Sequence, residues 1–168
     1  MTVKTRDDYL AALRQLRPNI YKFGELIGDV TTHPATKRTV ESHARCFDAA
    51  NDPELEKMYT TTSMFTGEKI QRWNCMMQDQ GGLIQNMRFK RQNYRRTGTC
   101  TGAVCVGWNA MNVMWAVSSE IDQEHGTDYQ ARLKNWILST EERGITVAGA
   151  LTDAKGNRSL KPSQQTDR

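Results

Sequence analysis

The sequence predicts a mainly α-helical domain over residues 1–144, followed by a short segment, 145–168, that opens with a β-strand. Three observations carry that expectation. Apolar residues recur at three- and four-residue spacing through most of the chain, and capping residues, prolines and glycines punctuate those stretches. Strict alternation comes only late, in "ITVAGALTD". With 168 residues the chain can bury a core without cross-links, so its four cysteines, at positions 46, 75, 100 and 105, must be judged by position.

Thr5, with Asp8 three residues on, forms a capping arrangement, and Leu10, Leu13 and Leu16 follow at helical spacing until Pro18 stops the helix. "IYKFGELIGDVTTHP" is aromatic and β-branched around Gly24 and Gly28, which predicts an extended or hairpin-like excursion. Pro34 suits the first turn of a second helix, where Val40, Ala44 and Phe47 share a face before "NDP" closes it. Cys46 is expected to pack there as a small hydrophobe. From Pro53 to Gly82 the signal gives a short helical turn around "PELEKMY" and then an ordered but irregular excursion. Its Met64, Met76 and Met77 are expected to fill gaps in the core. Cys75 has no cysteine or histidine at ligand spacing and reads as structural.

A third helix should follow Gly82, with Leu83, Met87 and Tyr94 as its buried side and Gly98 as its end. "AVCVGWNAMNVMWAVSSEI" is apolar on nearly every face, which predicts a central helix surrounded by others. Gly126 stops it, and Thr127 or Asp128 caps a last helix. That helix carries Tyr129, Leu133, Trp136, Ile137 and Thr140 on one face until Gly144. The strand that follows cannot satisfy its own backbone, so it docks elsewhere or belongs to a larger unit.

No apolar run reaches the ~20 residues needed to span a bilayer, and the charged N-terminal stretch has no signal-peptide core, which predicts a cytoplasmic protein with reduced thiols. The net charge of +4 comes largely from Arg88, Lys90, Arg91, Arg95 and Arg96, a run that suits a solvated helix face or a phosphate contact. No nucleic-acid motif accompanies it. His33, His43 and His125 are scattered and read as surface or capping residues. Phosphate-binding loops, zinc-protease helices and nucleophile elbows are absent. The distinctive stretch is "RRTGTCTGAVCVGWNAMN", with Cys100 and Cys105. In one continuous helix, positions five apart point about 140° away from each other. Gly98, Thr99, Thr101 and Gly102 are poor helix-interior residues, so a helix starting near Ala103 would leave Cys100 on a turn able to swing toward Cys105. Spacing alone leaves two readings open, core residues or cluster ligands, and an iron–sulfur cluster wants four ligands.

Four patches, "YKFGELIGDVTTHP", "RRTGTC" with "CVGWNAMN", "EIDQEHGTDY" and "GALTDAKGNRSLKPSQQTD", give the whole chain a family likeness. It resembles the N-terminal region of the flavoenzyme family that contains 4-hydroxybutyryl-CoA dehydratase/vinylacetyl-CoA isomerase and the 4-hydroxyphenylacetate 3-hydroxylases. The resemblance implies the helical N-terminal domain of an acyl-CoA dehydrogenase-like fold, with FAD as cofactor and flavin contacts at Leu151, Thr152 and Asp153. In the dehydratase branch two cysteines of this region and a later His and Cys hold a [4Fe-4S] cluster, which implies Cys100 and Cys105 as metal ligands. In the hydroxylase branch an Arg and a Tyr hold a phenolic substrate. Arg96 matches that Arg as a substrate-binding residue, but Cys100 stands in place of the Tyr and Gly149 in place of a substrate His. The dehydratase spaces its cysteines C-x3-C, whereas here the spacing is C-x4-C.

The family's later segments are expected from a second polypeptide, or from the remainder of the same chain, supplying the β-domain and a C-terminal helical bundle in a homo- or hetero-oligomer. The implied function is part of a flavin-dependent dehydratase/isomerase acting on a short acyl-CoA, with the basic run as a CoA-phosphate or subunit contact. Its alternatives are a component of a FAD-dependent aromatic hydroxylase and a non-catalytic helical assembly module. The isolated chain is not expected to be active.

Overall fold

The computed structural model of the protein describes residues 3–16, 19–99, 105–149, 156, 157 and 159–165. Helix α1 (Arg6–Gln15) starts at a reciprocal cap: the Asp8 amide donates to Thr5 Oγ1 at 3.2 Å and the Thr5 amide to Asp8 Oδ2 at 2.9 Å. Leu10 and Leu13 pack against Ile27, Val30 and Val40, while Leu16 points to solvent. Strands β1 (Tyr21–Lys22) and β2 (Glu25–Leu26) form the expected hairpin, turned through left-handed Phe23 and Gly24.

Helix α2 (Lys37–Ala50) begins later than expected. Pro34 sits instead in a preceding turn, where His33 Nδ1 accepts from the Ala35 amide and Thr36 Oγ1 donates to the Val30 carbonyl. Val40, Ala44 and Phe47 are buried as expected, and Cys46 with them. His43 joins the same stripe, which corrects its reading as a surface or capping residue. The short helix α3 (Glu56–Tyr59) runs into β3 (Thr60–Thr62), which pairs antiparallel with β4 (Lys69–Gln71), so the excursion expected to be irregular contains a hairpin. Arg72, in the 3-10 turn that follows (Arg72–Asn74), is buried and donates to the carbonyls of Lys57, Met58 and Thr60. A guanidinium thereby satisfies the open end of α3. Of the three methionines only Met76 is buried; Met64 and Met77 are exposed.

Asp79 caps α4 (Gln80–Thr97), and left-handed Gly98 ends it. Its buried side is Asn86, Phe89 and Asn93, while Leu83, Met87 and Tyr94 are exposed. The reason is polar pairing: Asn93 Oδ1 accepts from the Cys46 thiol at 3.0 Å and the Tyr59 hydroxyl at 3.4 Å, so an asparagine fits where the apolar pattern favoured a different face.

Helices α5 (Val106–His125) and α6 (Tyr129–Arg143) enclose Trp108, Met111 and Ile137, with Met76 from the segment before α4. Asp122 of α5 caps α6, accepting from the amides of Tyr129 and Gln130 at 2.8 Å each and from the Thr127 hydroxyl. Asp128 holds the cap position but makes no side-chain cap bond. The central-helix expectation is corrected: α5 leaves Val113, Met114 and Val117 exposed, since among the described residues only α6 covers it extensively. On α6, Ile137 and Thr140 are buried, but Tyr129 and Trp136 are exposed.

Residues 145–149 form no strand, and the rest of the expected strand lies outside the described residues. The segment is nevertheless tied down. Asn74 Nδ2 donates to the Ile145 carbonyl at 2.7 Å, and Val147 packs into the α5–α6 core. Gly107 lies so close beneath Val147 that a Cβ there would overlap the Val147 carbonyl. No helix among the described residues is long and apolar enough to cross a membrane.

Candidate functional site

The site builds up where α5 begins. Cys105 is the residue just before that helix, with backbone angles of φ −129° and ψ −87°. The helix therefore starts at Val106, three residues later than the expected Ala103, and does not run back through Cys105. Cys105 is half-buried, and Lys90, from the middle of α4, donates its ammonium to the sulfur at 3.0 Å. The contact fixes the position of a sulfur that can bind a metal or attack an electrophile. Cys46, Cys75 and Cys105 carry thiols rather than disulfides. Burial pushes the Cys75 thiol up to about 11, which keeps it protonated and agrees with a structural role.

Arg96 lies six residues beyond Lys90 on α4, about 120° round the helix. It is half-buried, and its Nε is enclosed with no hydrogen-bond partner among the described residues. Its carbonyl accepts from Arg45 Nη1 at 3.3 Å, which places a second cation at the C-terminal end of α4. Burial raises the Tyr59 hydroxyl to about 12, an effect the Arg96 charge partly offsets. Next to the start of α5 opens a polar cleft of about 290 Å³, lined by Thr61, Thr62, Arg72, Cys75, Gln85 and Trp108. Trp108, three residues into α5, fixes one wall by donating its indole N–H to the Cys75 carbonyl at 2.7 Å.

Of the residues expected to act, Cys105 and Arg96 are therefore placed, while Cys100, Leu151, Thr152 and Asp153 lie outside the described residues. Among the described residues no three His, Cys, Asp or Glu side chains are grouped to hold a metal. The partner the sequence missed is Lys90. It belonged to a run read as a solvated face or phosphate contact, and only the fold, which brings the middle of α4 to the residue before α5, selects it for the thiol.

The structure is thus a helical domain with two short hairpins, in which Lys90 of α4 meets Cys105 just before α5. The chain belongs to the 4-hydroxyphenylacetate 3-hydroxylase N-terminal family, whose profile matches residues 5–168. It is 32% identical over 163 residues to the 4-hydroxybutyryl-CoA dehydratase/vinylacetyl-CoA-Δ-isomerase of Clostridium aminobutyricum, covering 97% of this chain and 33% of that protein. The solved oxygen-tolerant 4-hydroxybutyryl-CoA dehydratase of N. maritimus superposes with a TM-score of 0.88 at 33% identity, over 99% of this chain and 33% of that one. The oxygenase component of 4-hydroxyphenylacetate 3-monooxygenase, solved in complex with FAD, shares the fold, with a TM-score of 0.69 at 21% identity over 98% of this chain and 33% of that one. The chain thus spans about a third of the length of the curated relatives it matches.

Proposed function

We propose that the chain is the helical N-terminal third of a flavin-dependent dehydratase/isomerase acting on a short hydroxyacyl-CoA or enoyl-CoA. The observation that carries this reading is the superposition on the archaeal dehydratase, at a TM-score of 0.88 and 33% identity over 99% of the chain. In this reading residues 1–144 are the helical domain of an acyl-CoA dehydrogenase-like fold, and 145–168 lead toward a β-domain. The remaining two thirds of the relatives' length is supplied by the same or a second polypeptide.

Cys105 and Cys100 would be the cysteine ligands this chain offers to a [4Fe-4S] cluster, and Leu151, Thr152 and Asp153 would contact FAD. A half-buried sulfur before a helix and beside an ammonium fits a soft metal, and it is one donor of the four a cluster needs. When bound, the flavin and cluster supply one-electron chemistry for removing an unactivated proton and a site for the departing hydroxyl. Lys90 holds the Cys105 sulfur in place, and half-buried Arg96 offers a guanidinium for an anionic or carbonyl oxygen of the substrate.

The second reading, a component of a FAD-dependent aromatic hydroxylase, is favoured by Arg96 and by the shared fold with the FAD-bound oxygenase. Anaerobic purification of the chain with its co-purifying polypeptide separates the two. The dehydratase reading expects a brown absorption band and acid-labile sulfide, both lost in Cys100→Ser and Cys105→Ser with flavin retained. Flavin absorption alone in the unsubstituted protein rejects it.

A further inference from the structure

Between α1 and the residues that leave α6 lies a cleft of about 220 Å³. Tyr9, Ala12, Leu13 and Leu16 form one wall, at the i, i+3, i+4 and i+7 positions of a single helix face. Ile145 and Thr146 form the other, and the Thr146 hydroxyl is held by hydrogen bonding to buried His43 Nε2 at 2.5 Å. A space of about 150 Å³ already admits benzene, so this cleft takes a small organic molecule.

Two cations line the same cleft, Lys4 and Arg143. The Lys4 stem lies over left-handed Gly144, where an added Cβ would come within 2.9 Å of the Lys4 Cβ. Its ammonium donates to the Arg143 carbonyl at 3.3 Å, which leaves two of its three donors for another acceptor. Among the described residues no acidic side chain lines the cleft, and neither cation forms an ion pair with a carboxylate. Asp8, the acid whose charge reaches Lys4, accepts instead from the Thr5 amide and hydroxyl at the α1 cap. Burial lowers the Lys4 pKa and the Arg143 charge adds to that, although Asp8 opposes it, so an anion between the two cations would relieve both effects. Tyr9 adds a neutral phenol, raised by burial to about 12, whose hydroxyl has no hydrogen-bond partner among the described residues.

We propose that this cleft binds a straight-chain carboxylate, its head between Lys4 and Arg143 and its tail along Ala12, Leu13, Leu16 and Ile145. The head group follows from the charges: a carboxylate accepts from a guanidinium and an ammonium at once. The tail follows from the walls, because Tyr9 to Leu16 advances about 10 Å along the helix, the reach of a chain of about eight carbons. Neither inorganic phosphate, which has no tail, nor an alcohol, which has no charge, satisfies both. The site shares no residue with the cysteine site or the expected flavin contacts, and the inference rests on neither reading of the reaction. Ile145 and Thr146 run on into Val147, whose carbonyl lies against Gly107, so the ligand also steadies the segment that braces the start of α5.

The test is equilibrium dialysis of the protein, with any co-purifying polypeptide, against octanoate. Saturable binding of one octanoate per chain is expected, with octan-1-ol at least tenfold weaker and inorganic phosphate failing to compete. From butyrate to octanoate each added methylene tightens binding about two- to fourfold. Lys4→Met and Arg143→Met, each checked for an unchanged circular dichroism spectrum, weaken octanoate about tenfold or more, and Lys4→Arg restores it. Arg143 is exposed, so its substitution carries the test even where Lys4→Met fails to fold. A diazirine placed on the terminal carbon of octanoate labels α1 between Ala12 and Leu16. Absent saturable binding, equal affinity for octanol, affinity unchanged in Arg143→Met, or a label elsewhere overturns the proposal. A missing iron–sulfur cluster would overturn the dehydratase reading and leave this result untouched.

Discussion

Two buried ionisable side chains give the protein opposite responses to pH. His43 is 8% exposed, with Nε2 2.5 Å from Thr146 Oγ1 and its ring among those of Tyr9, Phe47 and Trp73. Burial lowers its pKa to about 4, so the fold holds it neutral. Its contribution to stability is complete above the ordinary histidine value of 6.5 and is lost as pH falls toward about 4, by roughly 3 kcal/mol at most. Glu141, 3% exposed, accepts from Ser63 Oγ at 2.6 Å, while its Oε1 has no partner among the described residues. Burial raises its pKa, so its contribution is complete below the ordinary carboxyl range and fades as pH rises through the raised value. In urea unfolding from pH 4 to 8, His43→Gln should flatten the acid limb, and Glu141→Gln should gain most on the unsubstituted protein at the alkaline end. Parallel stability curves for all three proteins would contradict this assignment. His43 was legible in principle, since it lies four residues before Phe47 on the buried stripe of α2, but a titratable residue on an apolar face carries no signal of whether it is enclosed.

At the scale of elements, the caps and glycine stops read directly from the sequence, because each acts within one turn. The Thr5–Asp8 box and the left-handed glycines at 98, 126 and 144 all end helices as expected. The α6 cap escaped because it comes from Asp122, across the turn from the helix it serves. Asp122→Ala should therefore lower the melting temperature and speed amide exchange at Tyr129 and Gln130, whereas Asp128→Ala, on an exposed pair with Arg132, should change both much less. Equal effects of the two would refute the assignment. The β3–β4 hairpin was illegible for a different reason: two three-residue strands are too short to show alternation, and their pairing is completed by Arg72 from outside the ladder. The candidate site divides in the same way. Cys105 stood out by its place before an apolar stretch, but Lys90, fifteen residues away in sequence, meets it only through tertiary packing.

Across the whole molecule the core falls into separate clusters. Phe47, Tyr59, Trp73 and Phe89 hold α2, α3 and α4 together, with Ile27, Val30 and Val40 beneath α1, whereas Trp108, Met111, Ile137 and Met76 hold α5 to α6. The links between the halves include polar ones: Ser63 to Glu141, Asn74 to Ile145 and Lys90 to Cys105. Such a division predicts two units of different stability. Met111→Ala, at a fully buried position, should cost about 2–5 kcal/mol and release amide protection in α5 and α6 while sparing α2 and α4. Uniform loss of protection in hydrogen exchange would show a single cooperative unit instead.

Arg72 carries one more consequence. Side chains alternate across a strand pair, so sliding β4 by one residue against β3 would turn every side chain, and the guanidinium that follows them, to the opposite face. Three carbonyls at the end of α3 would then lose their donor, and a buried cation would lose its acceptors. The arginine therefore works as a key that turns in one lock: a hairpin too short to fix its own alignment is proofread by the helix before it.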